Sequence, residues 1–128
     1  MFSHVMLGSD DIAAAKRFYD AALGALGTGE GRVDEWGRLV YSSGSGRFLI
    51  TRPINGAAAS AANGGTVGFV AASTQAVDAW HAAGLAHGGT AIEDPPGIRQ
   101  ATGGRQLYLA YLRDPAGNKL CATHRMTG

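Results

Sequence analysis

The sequence predicts an α+β chain made of two β-α-β-β-β modules in tandem, curled into a cup-shaped mixed sheet. Three observations carry that expectation. The stretch from Ser3 to Gly27 is echoed without a gap 62 residues later, from Gly65 to Gly89. Val5, Leu7, Ala14, Phe18, Ala21, Leu23 and Gly27 then match Val67, Phe69, Ala76, Trp80, Ala83, Leu85 and Gly89. Glycine supplies 20 of the 128 residues, over twice the usual share of about 7%. Its clusters at 44–46, 64–65, 88–89 and 103–104 suit tight turns between many short strands. Finally, Asp114-Pro115-Ala116-Gly117-Asn118 puts Pro where a turn wants a fixed φ and Gly where a positive φ follows, the chemistry of a closed hairpin.

Each element follows from local chemistry. Residues 2–8 alternate, with Val5 and Leu7 on one face and His4 and Met6 on the other, which is a half-buried strand. Ser9-Asp10-Asp11 supplies an N-cap for a helix whose apolar face is Ala15, Phe18, Tyr19, Ala22, Leu23 and Leu26, ended by Gly24 or Gly27. Residues 38–41 and 47–51 read as strands separated by a Ser/Gly turn. Residues 54–64, rich in Gly, Ala, Ser and Asn, read as a linker between module one (about 1–53) and module two (about 65–126). Module two repeats the order: a strand over 66–71, a Ser73-Thr74 cap, a helix with Val77, Trp80, His81 and Leu85 on one face, then strands near 90–92, 107–113 and 119–124. Phe18 and Trp80 occupy equivalent places and are expected to anchor the helices in one shared core.

Composition narrows the function. A formal net charge of +1 with no basic run gives no electrostatic case for nucleic acid or a membrane surface. Apolar stretches fall far short of the roughly 20 residues of a membrane span, and Met1-Phe2 leads straight into a strand pattern, so a cytoplasmic protein is expected. One cysteine, Cys121, allows no intramolecular disulfide and no zinc-type cysteine cluster. The glycine pairs are not a phosphate loop, since no Gly-Lys-Ser/Thr follows them.

The chain resembles the vicinal oxygen chelate superfamily, which includes glyoxalase I, extradiol dioxygenases and the bleomycin and fosfomycin resistance proteins. The resemblance rests on His4-Val5-Met6-Leu7 with Phe18-Tyr19 and Leu23-Gly24 at the front, and on the run from Tyr111 to Leu120 with its Asp-Pro-x-Gly-Asn turn at the back. It implies a cup in which enzyme members hold a divalent metal with His and Glu. Carried over position by position, the implied ligands fall on His4, on Ile50 with a register error of about one residue, on Thr66 and on Cys121. Only His4 matches the expected residue type. Imidazole and carboxylate are the usual ligands of such ions, and a set with isoleucine and threonine in it argues against the standard site.

The resulting expectation is a protein that binds a small organic molecule in its cup, with no cofactor, and that can pair as a homodimer, the sequence leaving open whether the cup forms within one chain or between two. The alternative is a divalent-metal-dependent lyase or dioxygenase of glyoxalase type with a reduced ligand set around His4. The resemblance leaves the reaction, if any, open. Candidate ligand-contacting residues are His4, Met6, Ile50, Thr66, Arg99, Tyr108 and Cys121. His4 either binds ligand, acts as an acid or base, or is simply hydrogen-bonded in the cup wall. Cys121 beside an imidazolium would be a nucleophile, but a lone cysteine in an apolar strand more often packs as a small hydrophobe. Arg99 lies within, and Tyr108 after, the 95–104 segment, expected to be a loop at the cup mouth, where they could hold an anion or an aromatic ring. Tyr111 is expected to pack in the sheet and Arg105 to be solvated.

Overall fold

The computed structural model describes residues 1–126. The elements run β1 (His4–Gly8), α1 (Ile12–Ala25), β2 (Arg32–Val33), β3 (Leu39–Ser43), β4 (Gly46–Thr51), β5 (Val67–Val70), α2 (Thr74–Ala86), β6 (Thr90–Gln100), β7 (Gln106–Arg113) and β8 (Lys119–Arg125). They form two four-stranded sheets of matching order, β1-β4-β3-β2 and β5-β8-β7-β6. In each, the first strand pairs parallel with the last and the rest are antiparallel.

The repeat is accurate at the helices. Asp11 caps α1 by accepting from the Ala14 amide, and Ser73 caps α2 by accepting from the Ala76 amide. Each side chain thus satisfies one of the free amides of a helix start. The helices begin 62 residues apart, but α1 has 14 residues and α2 has 13. Both end at a glycine of positive φ, Gly27 at +93° and Gly88 at +97°.

Phe18, Tyr19, Trp80, Ile50, Leu39, Leu112 and Leu120 are fully buried in one core that both modules share. The helices pack directly on one another. Gly84 permits the close approach: a Cβ there would lie 2.4 Å from Leu112 Cδ1 and 3.1 Å from Phe18 Cε1.

A polar network ties the modules together beside this core. Tyr19 in module one donates its hydroxyl to Asp114 Oδ2 at 2.5 Å. The other carboxylate oxygen accepts from the amides of Ala116 and Asn118, at 3.0 and 2.8 Å. Asn118 Nδ2 donates both to Asp114 Oδ2 and to the Gly8 carbonyl at the end of β1. The Asp-Pro-x-Gly-Asn turn therefore closes its own hairpin and also fixes module one against module two.

One expectation fails in module two. Residues 95–104 are not a loop, because β6 continues through Pro95 and Pro96 to Gln100 and only Thr102–Gly104 form a helical turn. The β6 to β7 register breaks between Ile92 and Gly97. Prolines cannot donate to a ladder, and here they fall where no ladder bond is needed. Glu93 opens the bulge with a φ of +58°.

Candidate functional site

Side chains of residues paired in register point to the same side of a sheet. In module one the rows Val5-Phe48-Tyr41 and Leu7-Ile50-Leu39 point at the helices. The rows between them, His4-Arg47-Ser42 and Met6-Leu49-Val40-Arg32, line the opposite, helix-free face. In module two that face carries Gly68-Cys121-Tyr111-Ile92, Val70-Thr123-Leu109-Gly97, Lys119-Arg113-Thr90 and Arg125-Leu107-Arg99.

This parity sorts the expected site residues. His4, Met6, Thr66, Cys121 and Arg99 stand on the helix-free face or at its end. Ile50 does not: it is fully buried in the shared core, and its neighbour Leu49 holds the position across from Met6. The one-residue uncertainty in the sequence register therefore falls the other way. Tyr108 is also displaced, since its hydroxyl donates to Asp78 on α2 at 2.7 Å, on the helix side. Arg99 is occupied, donating to the Asp94 and Pro95 carbonyls at 3.1 and 2.8 Å and so bracing the bulge.

His4 is exposed, and its Nδ1 lies 2.7 Å from Ser3 Oγ. Cys121 is 5% exposed, with its Sγ 3.1 Å from Thr123 Oγ1 and 3.7 Å from the Ala122 carbonyl. Burial pushes the thiol pKa above its ordinary value, outweighing the Thr123 contact that favours the thiolate. No hydrogen bond joins His4 to Cys121 among the described residues. A thiol in this setting packs as a small hydrophobe.

The residues that sequence reasoning passed over are Glu93, Arg113 and Lys119, with Tyr111 turned outward. Lys119 Nζ sits 4.7 Å from the centre of the Tyr111 ring, a cation–π distance, and also pairs with the Glu93 carboxylate. Burial raises the Tyr111 pKa, with Cys121 and Glu93 adding to the shift. Beside Lys119 lies a cavity of about 390 Å³ lined by residues 61–66 together with Arg113 and Lys119.

Comparison with known proteins fits this geometry. The model of the glyoxalase/bleomycin resistance protein/dioxygenase superfamily matches residues 1–122. The chain belongs to that superfamily. A glyoxalase/bleomycin resistance protein from Albidiferax ferrireducens T118 is 56% identical in sequence, covers 98% of this chain and 99% of its own, and superposes with a TM-score of 0.93. A lactoylglutathione lyase from Agrobacterium tumefaciens, 22% identical over 97% of this chain and 92% of its own, shares the fold at a TM-score of 0.65. A glyoxalase/bleomycin resistance protein/dioxygenase family enzyme from Burkholderia phytofirmans PsJN does so at 18% identity, 95% and 96% coverage and a TM-score of 0.71. No curated protein matches the sequence. Among the described residues no group of three or more His, Cys, Asp or Glu side chains is placed to hold a metal ion, and no helix is long and apolar enough to cross a membrane.

Proposed function

We propose that this superfamily member binds a small organic molecule on its helix-free faces, used together as a cup, without the superfamily's standard divalent-metal site. The supporting observation is the donor set at the four ligand positions: His4, Leu49 where the sequence register had Ile50, Thr66 and Cys121. Leucine has no donor atom, the threonine hydroxyl is a poor neutral ligand, and a buried thiol of raised pKa resists the deprotonation that metal binding requires. One exposed imidazole does not make a site for an ion that takes three or more protein ligands.

The test is direct titration of the purified protein with Mn, Fe, Ni, Co and Zn. The expected result is no submicromolar binding dependent on His4. A tight, stoichiometric site lost in His4→Ala would overturn the proposal and favour a metal-dependent lyase or dioxygenase.

On the same reading a second copy completes the cup. Met6 is 38% and Val70 88% exposed on the two helix-free faces, apolar surface that a ligand alone would cover only in part. Sedimentation should then give a dimer, and a monomer that still binds ligand would refute the homodimer while leaving the binding function in place.

A further inference from the structure

Charge is unevenly spread over this nearly neutral chain. Arg32, Arg47, Arg99, Arg113, Lys119 and Arg125 stand in the helix-free rows, six of the 11 Lys and Arg residues, and no Asp or Glu occupies any of those rows. The side chains of Arg32, Arg47 and Arg125 make no hydrogen bond or ion pair among the described residues. The carboxylate that does reach this face comes from the bulge, where Glu93 adopts a left-handed backbone to do so.

We propose that the basin beside Lys119 binds the acid group of an organic anion, and that Glu93 is a resident carboxylate which the incoming acid displaces from Lys119. This rests on the reading that the face takes a small molecule, and it names that molecule's chemical class. The apolar part of the ligand lies along Tyr111 and the acid group enters the basin between Lys119 and Arg113.

The parts are arranged for that exchange. An ammonium carries three donors, and Lys119 directs one to Glu93 while its tip sits by the Tyr111 ring. The Arg113 guanidinium uses one nitrogen, Nη1, on the Gly117 carbonyl at 2.8 Å and keeps the rest of its five-donor fork. The Thr66 hydroxyl makes no hydrogen bond among the described residues, so it is an unused donor on the basin wall. The Glu93 side chain is 47% exposed, and water-exposed ion pairs are weak. Its φ of +58° is disfavoured for any residue with a Cβ. Arg99, through its bonds to the Asp94 and Pro95 carbonyls, holds the bulge that keeps Glu93 in reach. A ligand acid placed between Lys119 and Arg113 meets both cations, whereas Glu93 pairs with Lys119 alone among the described residues.

The experiment is an amide-resolved NMR titration of the whole chain with benzoate, phenyl phosphate and the neutral benzamide. Saturable shifts at Thr66, Arg113 and Lys119 with benzoate or phenyl phosphate at millimolar concentration, and weaker ones with benzamide, are expected; whichever anion binds tighter identifies the acid as carboxylate or phosphate. Lys119→Gln and Arg113→Gln should each weaken binding about tenfold, the size of a lost charged hydrogen bond, while Glu93→Gln should tighten it. Equal binding of benzamide, or binding indifferent to Lys119→Gln, overturns the anion site while leaving small-molecule binding intact. Absence of any shift with either anion overturns it outright, and an unchanged affinity in Glu93→Gln removes the resident carboxylate.

Discussion

Replacing Tyr19 by phenylalanine tests the bond that couples the modules. The substitution deletes one oxygen and leaves the ring in its core site, where it packs edge-on to Phe18 at 4.8 Å and against Phe48 at 5.0 Å. Asp114, 3% exposed, then keeps three of its four donors, the Ala116 and Asn118 amides and Asn118 Nδ2. A buried hydrogen bond to a charged group contributes about 1.5–3 kcal/mol, so Tyr19→Phe should lose about 2 kcal/mol in urea unfolding at neutral pH, with the slope against denaturant unchanged. The effect has a pH signature. Burial, reinforced by the Asp114 carboxylate, raises the Tyr19 pKa well above the ordinary 10.0. The neutral phenol is therefore favoured by folding, and its contribution is complete below about pH 10 and is lost as the pH climbs toward the folded value. Wild-type stability should fall above about pH 10, and Tyr19→Phe should fall less steeply by about 1.4 kcal/mol per pH unit, one proton's worth. A loss under about 0.5 kcal/mol, or identical alkaline slopes, would refute the view that this hydroxyl joins the modules.

Three further outcomes are expected. Cys121 should react with iodoacetamide at neutral pH far more slowly than in urea, because burial both shields the thiol and raises its pKa; equal rates would revive a nucleophilic role. Gly89→Ala should cost about 1–3 kcal/mol by overpacking, since a Cβ there meets the Gly84 carbonyl oxygen at 2.8 Å and Phe18 Cε1 at 2.6 Å, and a variant as stable as wild type would mean that the helix end shifts freely. Glu93→Gly should be more stable than Glu93→Gln by about 1 kcal/mol, both having lost the Lys119 pair but only the first relieving the left-handed backbone; equal urea midpoints would show no strain at that residue.

The scaffold was legible because it is written in signals that act locally or repeat. Capping residues, apolar helix faces and the Asp-Pro-x-Gly-Asn turn each operate within a few residues, and the repeat carried them from one half to the other. Phe18 and Trp80 were recognisable as core anchors for that reason. The site was less legible. In the run 47–51 (Arg, Phe, Leu, Ile, Thr), three consecutive apolar residues conceal which faces the helices, so sequence alone fixes the position opposite Met6 only to within a residue of Ile50, and the ladder assigns it to Leu49. Tyr108 and Tyr111 differ by an odd number of positions, and only the ladder register decides that Tyr108 meets Asp78 and Tyr111 meets Lys119. Glu93 was invisible because nothing in Glu-Asp-Pro-Pro announces a bulge inside a continuous strand, and its role depends on a lysine 26 residues away.

The contact between Phe18 and Gly84 limits how far the two halves are interchangeable. Gly84 is the counterpart of Ala22 in the 62-residue repeat, and Ala22 is itself fully buried. Two identical first halves set side by side in this way would bring an alanine methyl to the place where Gly84 leaves room, within 3.1 Å of a phenyl ring. The helices would have to part. The two halves are therefore complementary at this contact, glycine in one against a ring in the other, and two copies of the first half could not pack at the same distance.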